Sequence, residues 1–195
     1  MTAAPGVPAL RVEPLTPEAY APFGWVLGIR PPEGSRELVQ GLAAQFWHER
    51  VFDAGDGGQT ELVWVEYQPE PPLVVKIEAH RLTEQALVPV GGTPIIHIVA
   101  PPNDDPTAPE IAPDLSRAKA FYLDGTRGVC MRRGTWHIHL GIDRTAVHLM
   151  VSRRSTTTDL IGALRDGMAL AETEILKLDP PLPLDVSGIP ELRGR

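Results

Sequence analysis

With a single cysteine, Cys130, this chain of 195 residues has no intrachain disulfide. Structural disulfides belong to oxidising compartments, so this usage fits a reducing cytoplasm. Nothing beside Cys130 in the sequence would activate its thiol, and it reads as a small core hydrophobe. No apolar run approaches the ~20 residues of a membrane span. The opening Met1-Thr-Ala-Ala-Pro-Gly lacks the basic start and apolar core of a signal peptide. A basic excess is missing too. Lys and Arg number 18 against 25 Asp and Glu, for a net charge of -7, so the chain has no electrostatic footprint for nucleic acid. Long helices are excluded over most of the sequence, because 21 prolines and 18 glycines interrupt it at short intervals.

What remains is a run of short strands. A chain of this length forms one domain and buries about 70% of its unfolded surface, so it needs no staples. Residues 1–9 read as a tail. Leu10 to Leu15 alternates like a strand, with Pro14 placing it at an edge. Thr16-Pro17-Glu18 is a helix start, with Thr as N-cap and Pro at the first position. Gly24–Ile29 reads as a strand, and Gln45 to Phe52, with a surface His48, as a weak one. Glu61–Tyr67 is a strand by its β-branched and aromatic content. In Leu73–His80, Lys76, Glu78 and His80 share one face and Val75, Ile77 and Ala79 the other. Leu82–Val90, Ile95–Ala100, Ala118–Leu123 and Thr145–Arg153 complete the series, and His97 and His148 lie within two of these strands. From Thr158 the period changes. Leu160, Leu164, Met168, Ala171, Ile175 and Leu178 fall at helical spacing and predict a helix over 158–178, ended by Pro180-Pro181. Residues 185–195 read as a tail. The pattern predicts an all-β sandwich or barrel over residues 10–153, followed by a C-terminal helical extension over 154–195.

The stretch Gly128 to Gly141 carries the chemistry. After a turn at Arg133-Gly134, Trp136-His137-Ile138-His139-Leu140 alternates. Residues two apart on a strand share a face, so His137 and His139 point one way and Trp136, Ile138 and Leu140 the other. Either this strand lines a polar cavity or it is an edge strand with its histidines in water. Glu78, His80, Glu84 and Gln85 form a second cluster. Imidazoles and carboxylates meeting in a pocket can hold a divalent metal or exchange protons.

These residues also resemble a known family. Gly91-Gly92 between strands and the Gly128 to His137 segment look like the two half-motifs of a cupin barrel. More narrowly, the chain resembles ureidoglycolate lyase, a cupin of allantoin and purine breakdown, from about Arg11 to Arg153. Ile77 to Val90, Asp114 to Phe121, Gly128 to His137 and Leu15 to Gly24 carry the likeness. The resemblance implies a double-stranded β-helix, a homodimer and the splitting of ureidoglycolate into glyoxylate and urea. Carried over by position, His80 and His137 are the acid–base or ligand pair. Lys119 holds the substrate carboxylate, Gln85 the ureido group, and Arg133 and Trp136 also contact substrate. If one divalent ion (Ni, Zn, Mn or Fe) is present, Glu78, His80, His137 and His139 are its ligands. No organic cofactor is implied. The chain departs from the family pattern at Ile138 and His139, at Val147 and Ser152 in place of acidic residues, and at His97 and His148 in place of apolar ones. These departures keep two other readings open: a metal-dependent cupin acting on another small carboxylate, and a non-catalytic cupin that binds a small acid.

Overall fold

The computed structural model describes residues 8–32, 37–46 and 50–189. His48, residues 1–7 and residues 190–195 lie outside the described residues. In chain order the elements are β1 (Leu10–Pro14), α1 (Pro17–Tyr20), β2 (Gly24–Leu27), β3 (Glu37–Gln40), β4 (Ala43–Phe46), β5 (Thr60–Tyr67), β6 (Leu73–His80) and β7 (Gln85–Val90). Then come β8 (Ile95–Ala100), β9 (Lys119–Leu123), β10 (Gly128–Met131), β11 (Trp136–Gly141), β12 (Ala146–Arg153), α2 (Arg154–Asp166) and β13 (Thr173–Asp185). No helix among the described residues is long and apolar enough to cross a membrane.

Two sheets carry the fold, which is all-β with a closed barrel and a second sheet packed against it. One runs β1-β13-β6-β11-β8-β9 and closes on itself, because β1 pairs with both β13 and β9. The other has the order β2-β10-β7-β12-β5. Period-two alternation gives the first sheet two apolar faces. Its inner face gathers Ile77, Ala79, Ile98, Trp136, Leu140 and Leu184 inside the closed barrel. Its other face places Ile95, Val99, Phe121 and Leu123 against Leu87, Val129 and Met131 of the second sheet. His80, His97, His137, His139 and His148 share this second layer, between the sheets.

Local chemistry accounts for most boundaries. Thr16 caps α1, its hydroxyl accepting from the Ala19 amide at 3.2 Å. β1 pairs with β13 through Leu10 and Arg11 and with β9 through Val12 to Pro14, so it is an interior strand and not the expected edge, and Pro14 ends it. The helix expected over 158–178 runs instead from Arg154 to Asp166. Gly167 stops it in the left-handed conformation, at φ +67°. Ile175 and Leu178 match helical spacing, but Thr-Glu-Ile-Leu-Lys-Leu is equally a strand sequence. Pairing of Thr173–Lys177 with His80–Lys76 on β6 decides the matter. The barrel therefore takes in β13, beyond Arg153. The expected tail also begins later, since Ile189 is buried in the barrel core.

Candidate active site

The site is built where β6 ends and β11 begins. Gly134 turns the chain at φ +76°, and its amide donates to the His80 carbonyl at 2.9 Å. That bond ties the turn to the last residue of β6. β11 then runs between β6 and β8, with His137 opposite Glu78 and His139 opposite His97. Both histidines are buried between the sheets, so the strand lines the interior and is not an edge.

The hydrogen bonds fix which nitrogens are presented. His137 donates its Nδ1 proton to the Thr135 carbonyl at 2.9 Å, which leaves the Nε2 lone pair free. That Nε2 is buried without a partner and lies 3.8 Å from Glu78 Oε1. His80 accepts from the Gln85 amide nitrogen at Nε2, at 2.9 Å. Its Nδ1 donates to Thr173 Oγ1 at 3.1 Å. The His80 and His137 rings are 5.1 Å apart. Ligand atoms of Glu78, His80 and His137 all lie within 4.8 Å of one another. Burial holds both imidazoles neutral. The His80 pKa is pushed down to about 3, by desolvation first and by His137 second. That of His137 is also lowered by burial, against the opposing pull of Glu78 and the Thr135 carbonyl. A neutral imidazole with its lone pair buried and unpartnered can accept a proton, or can ligate a cation beside a carboxylate.

The other expected site residues divide. Gln85 is buried at the pocket with its amide nitrogen on His80. His139 faces the same layer but is not part of the Glu78–His80–His137 group. It stacks on His97 with ring centroids 4.5 Å apart at 11°, which commits it to a second imidazole cluster. Trp136 is fully buried on the opposite face, inside the closed barrel, where its indole N–H donates to Asn103 at 3.0 Å. Strand alternation removes it from any substrate at His137. Lys119 lies in the row His137–Val99–Lys119, two strands from His137. Its exposed amine pairs with Glu13 at 3.5 Å instead of reaching the pocket. Arg133 is exposed in the turn, where its charge lowers the Asp105 pKa as a minor cause after the Thr107 hydrogen bonds.

Arg132, itself exposed, is among the residues that line this pocket, beside His80, Thr135 and His137. Its guanidinium lies 4.1 Å from the centre of the Trp25 ring and donates to the Ala21 carbonyl at 3.3 Å. Arg50 covers the same indole at 3.7 Å and pairs with the buried Glu84. Glu84 also accepts from the Cys130 thiol at 3.8 Å. Tyr67 packs on His139 and His148, at 5.1 and 5.5 Å, with its hydroxyl pKa raised by burial and then by Glu78. Alternation along Glu61–Tyr67 would have turned Tyr67 inward. Arg132 and Arg50 carry no such signal. Of the departures, Ile138 packs on the barrel core, Ser152 is buried, and Val147 sits across from Glu66 on β5. His97, His139 and His148 each keep one buried ring nitrogen without a partner.

The chain has recognisable relatives. The family model for ureidoglycolate lyase matches residues 7–166. A ureidoglycolate lyase of Pseudomonas syringae pv. syringae (strain B728a) is 31% identical over 177 residues, covering 88% of this chain and 95% of that one. One of Stutzerimonas stutzeri (strain A1501) is 32% identical over 177 residues, with the same coverage of each chain. One of Burkholderia cepacia is 33% identical over 154 residues, covering 76% of this chain and 81% of that one. Among solved structures, a dTDP sugar isomerase from Desulfovibrio desulfuricans G20 overlaps with a TM-score of 0.39 at 16% identity, covering 80% of this chain and 84% of that one. The chain belongs to the ureidoglycolate lyase family.

Proposed function

We propose that this protein is a ureidoglycolate lyase, cleaving the C–N bond of ureidoglycolate to glyoxylate and urea. The observation that carries the proposal is the buried, unpartnered Nε2 of His137, set beside Glu78 and His80 in a chain of this family. His137 Nε2 takes the carbinol hydroxyl proton. The oxygen's electrons form the aldehyde carbonyl as the C–N pair leaves with nitrogen, and the proton returns to that nitrogen to complete urea. Glu78 stabilises the transient imidazolium. Arg132, at the pocket wall, holds the carboxylate in the role the resemblance gave to Lys119. Gln85 orients His80 through its amide nitrogen, and its carbonyl would accept from the ureido group.

A second reading has its own observation. Two imidazoles and a carboxylate within 4.8 Å form a donor set suited to a divalent ion. Glu78, His80 and His137 would hold the ion, with His80 giving up the Gln85 amide. A bound ion would supply Lewis-acid polarisation of the substrate oxygens. Glyoxylate release by the purified protein, measured with and without chelator, separates the two. Turnover that survives chelation keeps His137 as the base. Loss on chelation with recovery on adding an ion makes His137 a ligand. No glyoxylate under either condition rejects the lyase reading.

The enzyme is proposed to work in the cytoplasm, a reading supported by its one buried cysteine. It is also proposed to act as a homodimer. Support comes from the exposed outer side of the second sheet, where Leu62, Trp64, Val88 and Val90 form an apolar face. Light scattering on the wild type and on Trp64→Glu tests this. A monomeric wild type rejects it.

A further inference from the structure

We infer that Thr173 is a positioning residue. From the first position of β13, its hydroxyl accepts the His80 Nδ1 proton and, together with the Gln85 amide nitrogen at Nε2, fixes the orientation and tautomer of the ring. His80 and Thr173 are direct register partners on β6 and β13, and His80 Nδ1 lies 3.1 Å from Thr173 Oγ1. Both residues are buried, so no bulk water substitutes for the hydroxyl. The arrangement parallels that of His137, whose Nδ1 is occupied by the Thr135 carbonyl. In each case an oxygen takes the Nδ1 proton; the Nε2 of His137 then faces Glu78, and that of His80 meets the Gln85 amide nitrogen. An outer partner of this kind fixes ring orientation and tautomer whether the imidazole then handles a proton or a cation.

The segment carrying Thr173 is itself clamped. Asp159 of α2 accepts from the amides of Ala171 and Glu172, at 3.0 Å to each. The Glu172 carboxylate accepts from Thr156 at 2.7 Å and Ser155 at 3.0 Å. The Glu172 carbonyl accepts from the Arg81 amide, next to His80, at 2.8 Å. Helix α2 thus sets the start of β13, and β13 sets His80. The family model ends at residue 166, so this support lies beyond the span it matches.

The kinetic half of the inference rests on the lyase reading; the spectroscopic half does not. Thr173→Val keeps the shape and removes the hydroxyl, Thr173→Ser keeps the hydroxyl, and Thr173→Ala serves if Val fails to fold. Nitrogen-15 NMR of the imidazoles reads the His80 tautomer without turnover. The wild type and Thr173→Ser should show His80 protonated at Nδ1, and Thr173→Val a mixture. With ureidoglycolate, Thr173→Val should lose about 10–100-fold in kcat with KM little changed, and Thr173→Ser should recover most of it. An unchanged His80 tautomer in Thr173→Val or Thr173→Ala overturns the inference. A tautomer shift in a protein that never releases glyoxylate supports the positioning role and rejects the lyase reading alone.

Discussion

Glu78 and His137 face each other across β6 and β11, with Glu78 Oε1 3.8 Å from His137 Nε2. The distance is too long for a hydrogen bond but short enough for a carboxylate to stabilise an imidazolium. Burial lowers the His137 pKa and Glu78 pulls it back, so the ring is neutral at rest and ready to gain a proton. His137→Ala should therefore cut glyoxylate release by about 10²–10⁴-fold. Its melting temperature should also fall, because the buried ring leaves a cavity, so release is measured per folded molecule. Glu78→Gln should lower kcat less. Full activity in His137→Ala would end the proposed role.

Arg132 and Lys119 give opposite expectations. Arg132→Ala removes a cation from the pocket wall and should raise KM about 10-fold or more, the scale of a lost charged hydrogen bond. Lys119→Ala removes an exposed ion pair with Glu13, worth about 0–1 kcal/mol, and should leave both kinetic constants within twofold. Steady-state kinetics on the two variants decides which cation meets the substrate.

This contrast shows how far the sequence reached. Alternation in Trp136-His137-Ile138-His139 was enough to separate the histidine face from the tryptophan face, because side-chain period is a backbone property. Most strands and turns were legible for the same reason, but β3 and β13 were not. Lys119 misled because a motif position fixes a row in the sheet but not whether a long side chain turns to the pocket or to solvent. Thr173 was hidden by an apolar spacing that suits a helix and a strand equally. Only the pairing with β6, nearly a hundred residues earlier, resolves it. Arg132 is one of two adjacent exposed arginines in a turn, where no periodicity says which of them lies against the pocket.

Trp136 should differ from His137 in its effect on activity. It fills the barrel core and its indole nitrogen is satisfied by Asn103. Trp136→Ala should cost about 3–5 kcal/mol of stability by urea denaturation. Activity per folded molecule should stay near that of wild type. A stable variant with raised KM would return Trp136 to the substrate-contacting role expected from the family.

Acid should destabilise the protein through its buried histidines. His80 is pushed down to about 3, chiefly by burial, and His148 to about 4 by burial alone. An unfolded histidine titrates near 6.5. Both folded values are depressed, so the unfolded chain binds the extra protons. The stability these groups contribute is present above about pH 6.5 and is lost as pH falls towards 4 for His148 and towards 3 for His80. Each contributes a slope of at most about 1.4 kcal/mol per pH unit in its window. The Nδ1 of His148 is buried without a partner, so an apolar replacement orphans no other group. His148→Phe should therefore be at least as stable as wild type at pH 7 and should lose less stability between pH 6.5 and 4. Urea midpoints at pH 7, 5.5 and 4.5 measure both slopes. Equal slopes would mean that His148 is already protonated in the folded state, or that water reaches it.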